Sequence, residues 1–308
     1  LQDNSGWSAL HLATRNSSTE STEETVKILL EAGINVNLQE NNGRSALHLA
    51  SKYSGTKSTE RTVKMLLDAK ANVNLQDNSG WSALHFASRN SGTKSTEKTV
   101  KMLLDAKANV NLQDNLGWSA LHLATRNSRT ESTEGTVKML LEAGTNVNLQ
   151  DNLGWSALHL ATRNSRTEST EETVKILLDA KANINLQDNL GWSALHLAAR
   201  NSGTESTEET VKMLLIAGTN INLKTHNGST ALDLAKSSLK TDSTKETVKL
   251  LSSIPSWIKY KEYIDECIIC FDKRTSYVCN YEHYVCIECF KIIKSNVCSI
   301  CSNSFKTL

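Results

Sequence analysis

Shifted by 37 residues, the sequence overlays itself. The segment LQDNSGWSALHLATRNSSTESTEETVKILLEAGINVN fills positions 1–37, and its copies start at Leu38, Leu75, Leu112, Leu149 and Leu186. A more divergent seventh copy starts at Leu223. A fixed period of this size points to a solenoid, whose units are too small to bury an apolar face alone and do so against their neighbours.

Each unit has a readable local structure. Asn4-Ser5-Gly6 marks a tight turn, because glycine tolerates positive φ. Ser8 is placed to cap a short apolar helix, Ala9-Leu10-His11-Leu12-Ala13. Ser21 is expected to cap a second helix, on which Val26, Leu29 and Leu30 share one face. Glu24 would complete a capping box there, whereas the next three copies carry Arg61, Lys98 and Gly135 at that position. Gly33 then ends the helix. Lys70, Lys107 and Lys181 stand at the same register and suit a left-handed backbone less well.

These residues resemble the ankyrin repeat. The matching elements are Gly-x-Ser-Ala-Leu-His-Leu-Ala in the first helix, Val-Lys-x-Leu-Leu in the second, and the Asn-Val-Asn that follows. The resemblance covers roughly residues 1–253 and recurs seven times. It implies a mainly α fold, a solenoid of seven 37-residue repeats. Two departures stand out. Ser-Ala or Thr-Ala replaces the family's Thr-Pro, which removes a proline that favours helix starts. The family's usual period is also about four residues shorter. The extra residues fall between the helices, in segments such as Asn16–Glu24, and are expected to lengthen a loop or helix end without breaking the stack.

The histidines at 11, 48, 85, 122, 159 and 196 stand beside apolar positions, and the resemblance implies that they tie adjacent turns together rather than bind metal. Trp7, Trp81, Trp118, Trp155 and Trp192 follow the turn glycine, with Arg44 and Ser229 in the same register. The resemblance places this register on a concave binding face. Exposed Trp and Arg are favoured contact anchors; the alternative is that each indole lies over the next hairpin. Arg15, Lys52, Arg89, Arg126, Arg163 and Arg200 form a second row, read either as contacts for an acidic or extended peptide or as a solvated face. The copies are nearly identical, which suits recent duplication or a periodic ligand. The seventh reads as a C-terminal cap, with Asp233 replacing His, Ser229 replacing Trp, and Pro255 stopping the helix.

Cysteine is confined to the end of the chain: Cys267, Cys270, Cys279, Cys286, Cys289, Cys298 and Cys301. Seven cannot all pair as disulfides, so a reducing compartment, cytosol or nucleus, is expected. With His283 the series reads C-x2-C-x8-C-x3-H-x2-C-x2-C-x8-C-x2-C, eight donors for two tetrahedral zinc sites. A segment below about 40 residues usually needs metals or disulfides to be stable, and a structural zinc supplies on the order of 10 kcal/mol.

This order, with histidine fourth, resembles the RING finger. The resemblance implies a small zinc-bound α+β domain over 265–308, after a linker at 254–264, with interleaved sites. Cys267, Cys270, Cys286 and Cys289 would hold one zinc; Cys279, His283, Cys298 and Cys301 would hold the other. A short helix is expected near Cys286–Ser295. RING fingers commonly act as ubiquitin ligases, so the implied partners are a ubiquitin-conjugating enzyme and a protein substrate on the array. Ile269 and Ile293 map to the family's conjugating-enzyme contacts; local packing is the alternative for both. Ser299 and Ser302 replace a proline and a basic residue common in active members. Phe305 resembles the tail aromatic of RINGs that dimerise, so a RING homodimer is a further implied partner.

Charge excludes little else. Thirty-four basic against 33 acidic side chains give no global footprint for nucleic acid. No apolar run approaches the roughly 20 residues that cross a bilayer. The chain opens at Leu1 in the middle of the repeat pattern, so it is expected to be a piece of a longer protein.

Overall fold

A computed structural model of the 308-residue chain describes residues 1–16, 20–126, 131–163, 168–202, 206–238, 242–252, 275–278 and 284–286. The chain divides into two compact units, Leu1–Ala161 with Thr167–Ala182, and Thr162–Arg166 with Asn183–Leu308.

Helices come in pairs, one pair per repeat. The first five are α1 (Ala9–Arg15) and α2 (Glu20–Glu31), α3 (Ala46–Lys52) and α4 (Lys57–Asp68), α5 (Ala83–Arg89) and α6 (Lys94–Asp105), α7 (Ala120–Arg126) and α8 (Glu131–Glu142), and α9 (Ala157–Arg163) and α10 (Glu168–Asp179). In the first unit α3 packs between α1 and α5, α5 also packs on α7, and α2, α4, α6, α8 and α10 form a parallel layer. Leu10, Leu47, Leu84, Leu121 and Leu158 are buried in the first layer, and Val63, Leu66, Val100, Leu103, Val137 and Leu140 in the second. Full burial of one such side chain stabilises the fold by roughly 1.5–3 kcal/mol. Leu12, in the first repeat, is 48% exposed, while its counterpart Leu49 is 2% exposed. A preceding repeat makes that difference.

The second unit holds α11 (Ala194–Asn201), α12 (Glu208–Ile216), α13 (Ala231–Ser237) and α14 (Asp242–Ser252), with α11 on α13 and α12 on α14. It also holds two antiparallel strands, β1 (Thr275–Val278) and β2 (Tyr284–Cys286), in a register that pairs Val278 with Tyr284 and Tyr277 with Val285.

The first helices start as the sequence indicates: the Ser8 hydroxyl accepts from the His11 amide at 3.4 Å. The second helices do not. Ser21 lies inside α2, and its counterparts Ser58 and Ser95 lie inside α4 and α6. Thr56 and Thr93 are the caps, each accepting at 3.3 Å from the amide three residues on, while Thr59 and Thr96 accept the cap residue's own amide at 3.1 Å. The threonine one position before the helix thus satisfies two amides reciprocally. Ser95 donates instead to Glu60 of the preceding repeat at 2.6 Å. Glu24, read as a capping-box acid, pairs with Lys27 at 3.5 Å.

The expected left-handed lysines are present, with φ of 66°, 64° and 62° at Lys70, Lys107 and Lys181, where Gly33 has 75°. In the last pair Asp233 accepts from the Thr230 amide and hydroxyl at 3.0 and 2.7 Å. It performs the histidine's local task and offers no ring N–H to a further repeat, as a cap should.

Candidate partner-binding ladder

The ladder is built from the turn before each first helix. In the third repeat the Asp77 amide donates to the Trp81 carbonyl at 2.8 Å, and the Gly80 amide to the Asp77 carbonyl at 2.8 Å. The buried Asp77 carboxylate accepts the Ser79 and Trp81 amides at 2.9 Å each. The acid therefore fixes the backbone from which the indole projects. Gly80 has φ 80°, and a Cβ there would stand 2.8 Å from the Asn115 amide of the next turn. Only glycine lets consecutive turns approach this closely.

Neighbouring turns are bonded to one another. The Asn115 amide donates to the Ser79 carbonyl at 3.0 Å, its side chain to the Asn78 carbonyl at 3.0 Å, and the Gln76 side chain to the Gln113 carbonyl at 3.1 Å. The pattern recurs at Asn152, which bonds the Leu116 and Asn115 carbonyls at 3.0 Å. This Gln–Asn ladder was not read from the sequence. Its signal is present there, because Gln2, Gln39, Gln76, Gln113, Gln150 and Gln187 recur once per period.

The histidines tie these turns together. The Ser82 amide donates to His85 Nδ1 at 3.1 Å, so Nδ1 carries no hydrogen. Nε2 therefore does, and donates to the Trp118 carbonyl of the next repeat at 3.0 Å. His11, His48 and His122 reach the Arg44, Trp81 and Trp155 carbonyls in the same way, each at 3.0 Å. Within the second unit His196 reaches the Leu223 carbonyl at 3.0 Å. Burial holds His48, His85 and His122 below the ordinary imidazole value, against the opposing pull of the carbonyls and of Asp77, Asp114 and Asp151. They tie adjacent turns, as expected, and burial keeps them neutral. Among the described residues no group of three or more His, Cys, Asp or Glu could hold a metal.

The indoles are half-buried. The Trp7, Trp81, Trp118 and Trp155 ring centroids lie 5.9, 6.1, 6.1 and 6.3 Å from those of His11, His85, His122 and His159. The arginine expected to form a separate row lies over the indole instead. The guanidinium carbons of Arg15, Arg89 and Arg126 stand 5.4, 5.4 and 5.1 Å from the rings of Trp7, Trp81 and Trp118. The second unit repeats the arrangement at Trp192, with Arg200 at 5.1 Å. At these repeats the two expected rows merge into stacked pairs, whereas Lys52 of the basic row lies over Tyr53 at 5.3 Å. Arg44 differs: it pairs with Asp77 at 3.3 Å and lies 5.5 Å over Phe86. Sequence reading also missed Leu116 and Leu153, each 67% exposed at a turn tip two residues before an indole, and Leu190 in the second unit at 63%.

Of the expected zinc ligands, Cys267, Cys270, Cys279, His283, Cys289, Cys298 and Cys301 lie outside the described residues, as do Ile269, Ile293 and the 254–264 linker. Cys286 ends β2, its backbone opposite Thr275. Cys286 is therefore strand, not part of the helix expected near Cys286–Ser295, and the rest of that segment lies outside the described residues. Among the described residues no helix is long and apolar enough to cross a membrane.

No curated protein matches the chain. Among solved structures it is similar to the crystal structure of the ankyrin repeat domain of Bcl-3, described as a member of the IkappaB protein family. The TM-score is 0.62 at 24% identity, over 80% of this chain and 100% of that one, which speaks to the fold. The family description "Ankyrin repeats (3 copies)" matches overlapping windows that together run from residue 1 to 261. With the helix pairs, the bonded turns and the histidine ties in place, the chain belongs to the ankyrin-repeat family.

Proposed function

We propose that the chain is a RING-type ubiquitin ligase, in which the array holds a protein substrate and the cysteine-rich end recruits a ubiquitin-conjugating enzyme. The coarser part follows from family membership: an ankyrin array is a scaffold for protein–protein interaction. The finer part rests on one observation, the order of eight donors with histidine fourth. Thiolates and imidazole are the ligands of closed structural zinc sites. Two zinc ions would be held by Cys267, Cys270, Cys286 and Cys289, and by Cys279, His283, Cys298 and Cys301. The strand register supports the reading, because residues 279–283, which carry Cys279 and His283, connect two paired strands.

Zinc would supply folding energy to this end. No side chain of the chain would act as nucleophile. The array would raise the effective concentration of a substrate lysine beside the loaded conjugating enzyme, with Ile269 and Ile293 as the apolar contacts for that enzyme. The test is autoubiquitination across a panel of conjugating enzymes, with metal content measured in parallel. Two zinc ions per chain and ubiquitin chains lost in Cys267→Ala are expected. A metal content other than two, or activity that survives both Cys267→Ala and Ile269→Ala, contradicts the proposal.

Ser299 and Ser302 favour a second reading, a non-enzymatic scaffold whose zinc domain dimerises or docks. That reading predicts inertness across the panel and a dimer that chelation dissociates.

A further inference from the structure

We propose that the indole row of the first unit binds an acidic segment in the polyproline-II conformation, with one carboxylate in every three residues. The inference rests on the reading of this row as the partner-binding face.

The first argument is pitch. Trp81, Trp118 and Trp155 come from consecutive repeats at one register, and the turns that carry them are hydrogen-bonded in series. Their step follows the packing of neighbouring helices such as α5 and α7, and packed helices stand about 8–10 Å apart. A polyproline-II segment rises about 3.1 Å per residue with three residues per turn, so residues i, i+3 and i+6 return to one face about every 9 Å. A β-strand rises about 3.3 Å per residue and alternates faces, so its residues i and i+3 point in opposite directions. An α-helix repeats every 5.4 Å or so. Two α-helical turns span about 10.8 Å, so polyproline II is the regular conformation whose single turn falls within a step of about 8–10 Å.

The second argument is chemistry. The guanidinium groups of Arg89 and Arg126 lie over Trp81 and Trp118 while their side chains remain exposed. A planar fork held on a ring is oriented to receive a carboxylate. Leu116 and Leu153 stand exposed at the turn tips, two residues before Trp118 and Trp155, and offer apolar surface for ring contacts. One ligand turn would therefore set an acid on the arginine and a proline against the indole and leucine. Polyproline II is already ordered when free, which reduces the entropy lost on binding. A run of like sites also suits a ligand that is itself periodic, which gives the near identity of these repeats a use.

The test is fluorescence anisotropy of labelled peptides with the full chain. The probes are (Glu-Pro-Pro)4, (Lys-Pro-Pro)4, and a peptide of identical composition with its four glutamates adjacent. The periodic acidic peptide is expected to bind at least about tenfold tighter than the rearranged one, a difference of about 1.4 kcal/mol. Added salt should weaken it. Arg126→Gln should weaken it severalfold while the helical circular dichroism is unchanged. Equal binding of the rearranged peptide overturns the pitch match and leaves the row as an acidic-peptide surface. Failure of every peptide to bind overturns both the match and the row as a peptide-binding face.

Discussion

The guanidinium carbon of Arg126 lies 5.1 Å from the centre of the Trp118 indole, eight residues earlier in the same repeat. The contact joins the end of α7 to the turn that precedes it. Such a pair contributes about 0.5–1 kcal/mol at an exposed site. Arg126→Gln is expected to lower urea-unfolding stability by that amount and to alter the Trp118 environment in near-ultraviolet circular dichroism. An unchanged spectrum would show that the two groups do not stack in solution.

Lys107 occupies a left-handed backbone at φ 64°, at a register where Gly144 is found one repeat later. A side chain there costs roughly 1 kcal/mol relative to glycine. Lys107→Gly is expected to raise the urea midpoint, as is Lys70→Gly. Destabilisation by both would mean that the lysine stems contribute packing that outweighs the strain.

Among the described residues, Ser51 and Ser88 bury their hydroxyls with no hydrogen-bond partner. Thr14 and Thr125 at the same register donate to the Leu10 and Leu121 carbonyls at 2.9 Å, and Ala199 stands there in the sixth repeat. An unsatisfied buried hydroxyl costs about 1–3 kcal/mol. Ser88→Ala is expected to stabilise the array or leave it unchanged, read as the midpoint of thermal unfolding. A loss above about 1 kcal/mol would reveal a bonded water or partner at that hydroxyl.

His48, His85 and His122 are held neutral by burial, with values below the ordinary one. Below about pH 6.5 the unfolded chain takes up protons that the folded chain excludes. Stability is therefore complete above that pH and falls as the pH drops, by about 1.4 kcal/mol per pH unit for each histidine. The measurement is the urea midpoint of the helical signal between pH 8 and pH 5. A midpoint constant across that range would mean that the imidazoles take up protons as readily in the fold as in the unfolded chain.

The repeat period, the turn glycine, the first-helix cap and the buried leucines were legible because each depends on residues within a few positions of one another. The second-helix cap was misread because serine at 58 and threonine at 56 are both competent caps, and the choice between them depends on Glu23 of the preceding repeat, to which Ser58 donates. The stacking of Arg89 on Trp81 was missed for a related reason: composition shows two rows of residues, but only the angle between turn and helix superposes them. Leu116 and Leu153 stand at a turn position that elsewhere holds Ser5 or Ser79, and the sequence pattern alone does not show that they are exposed. Their exposure gives them meaning.

Transfer of ubiquitin from a conjugating enzyme is the step on which the proposed function depends. It is measured most directly as single-turnover discharge of the ubiquitin thioester to free lysine, with and without the full chain. Acceleration by the chain is expected with at least one conjugating enzyme, strongly reduced in Ile269→Ala and absent in Cys267→Ala. No acceleration with any conjugating enzyme, or acceleration that survives both substitutions, would contradict a RING mechanism and leave the array as a binding scaffold.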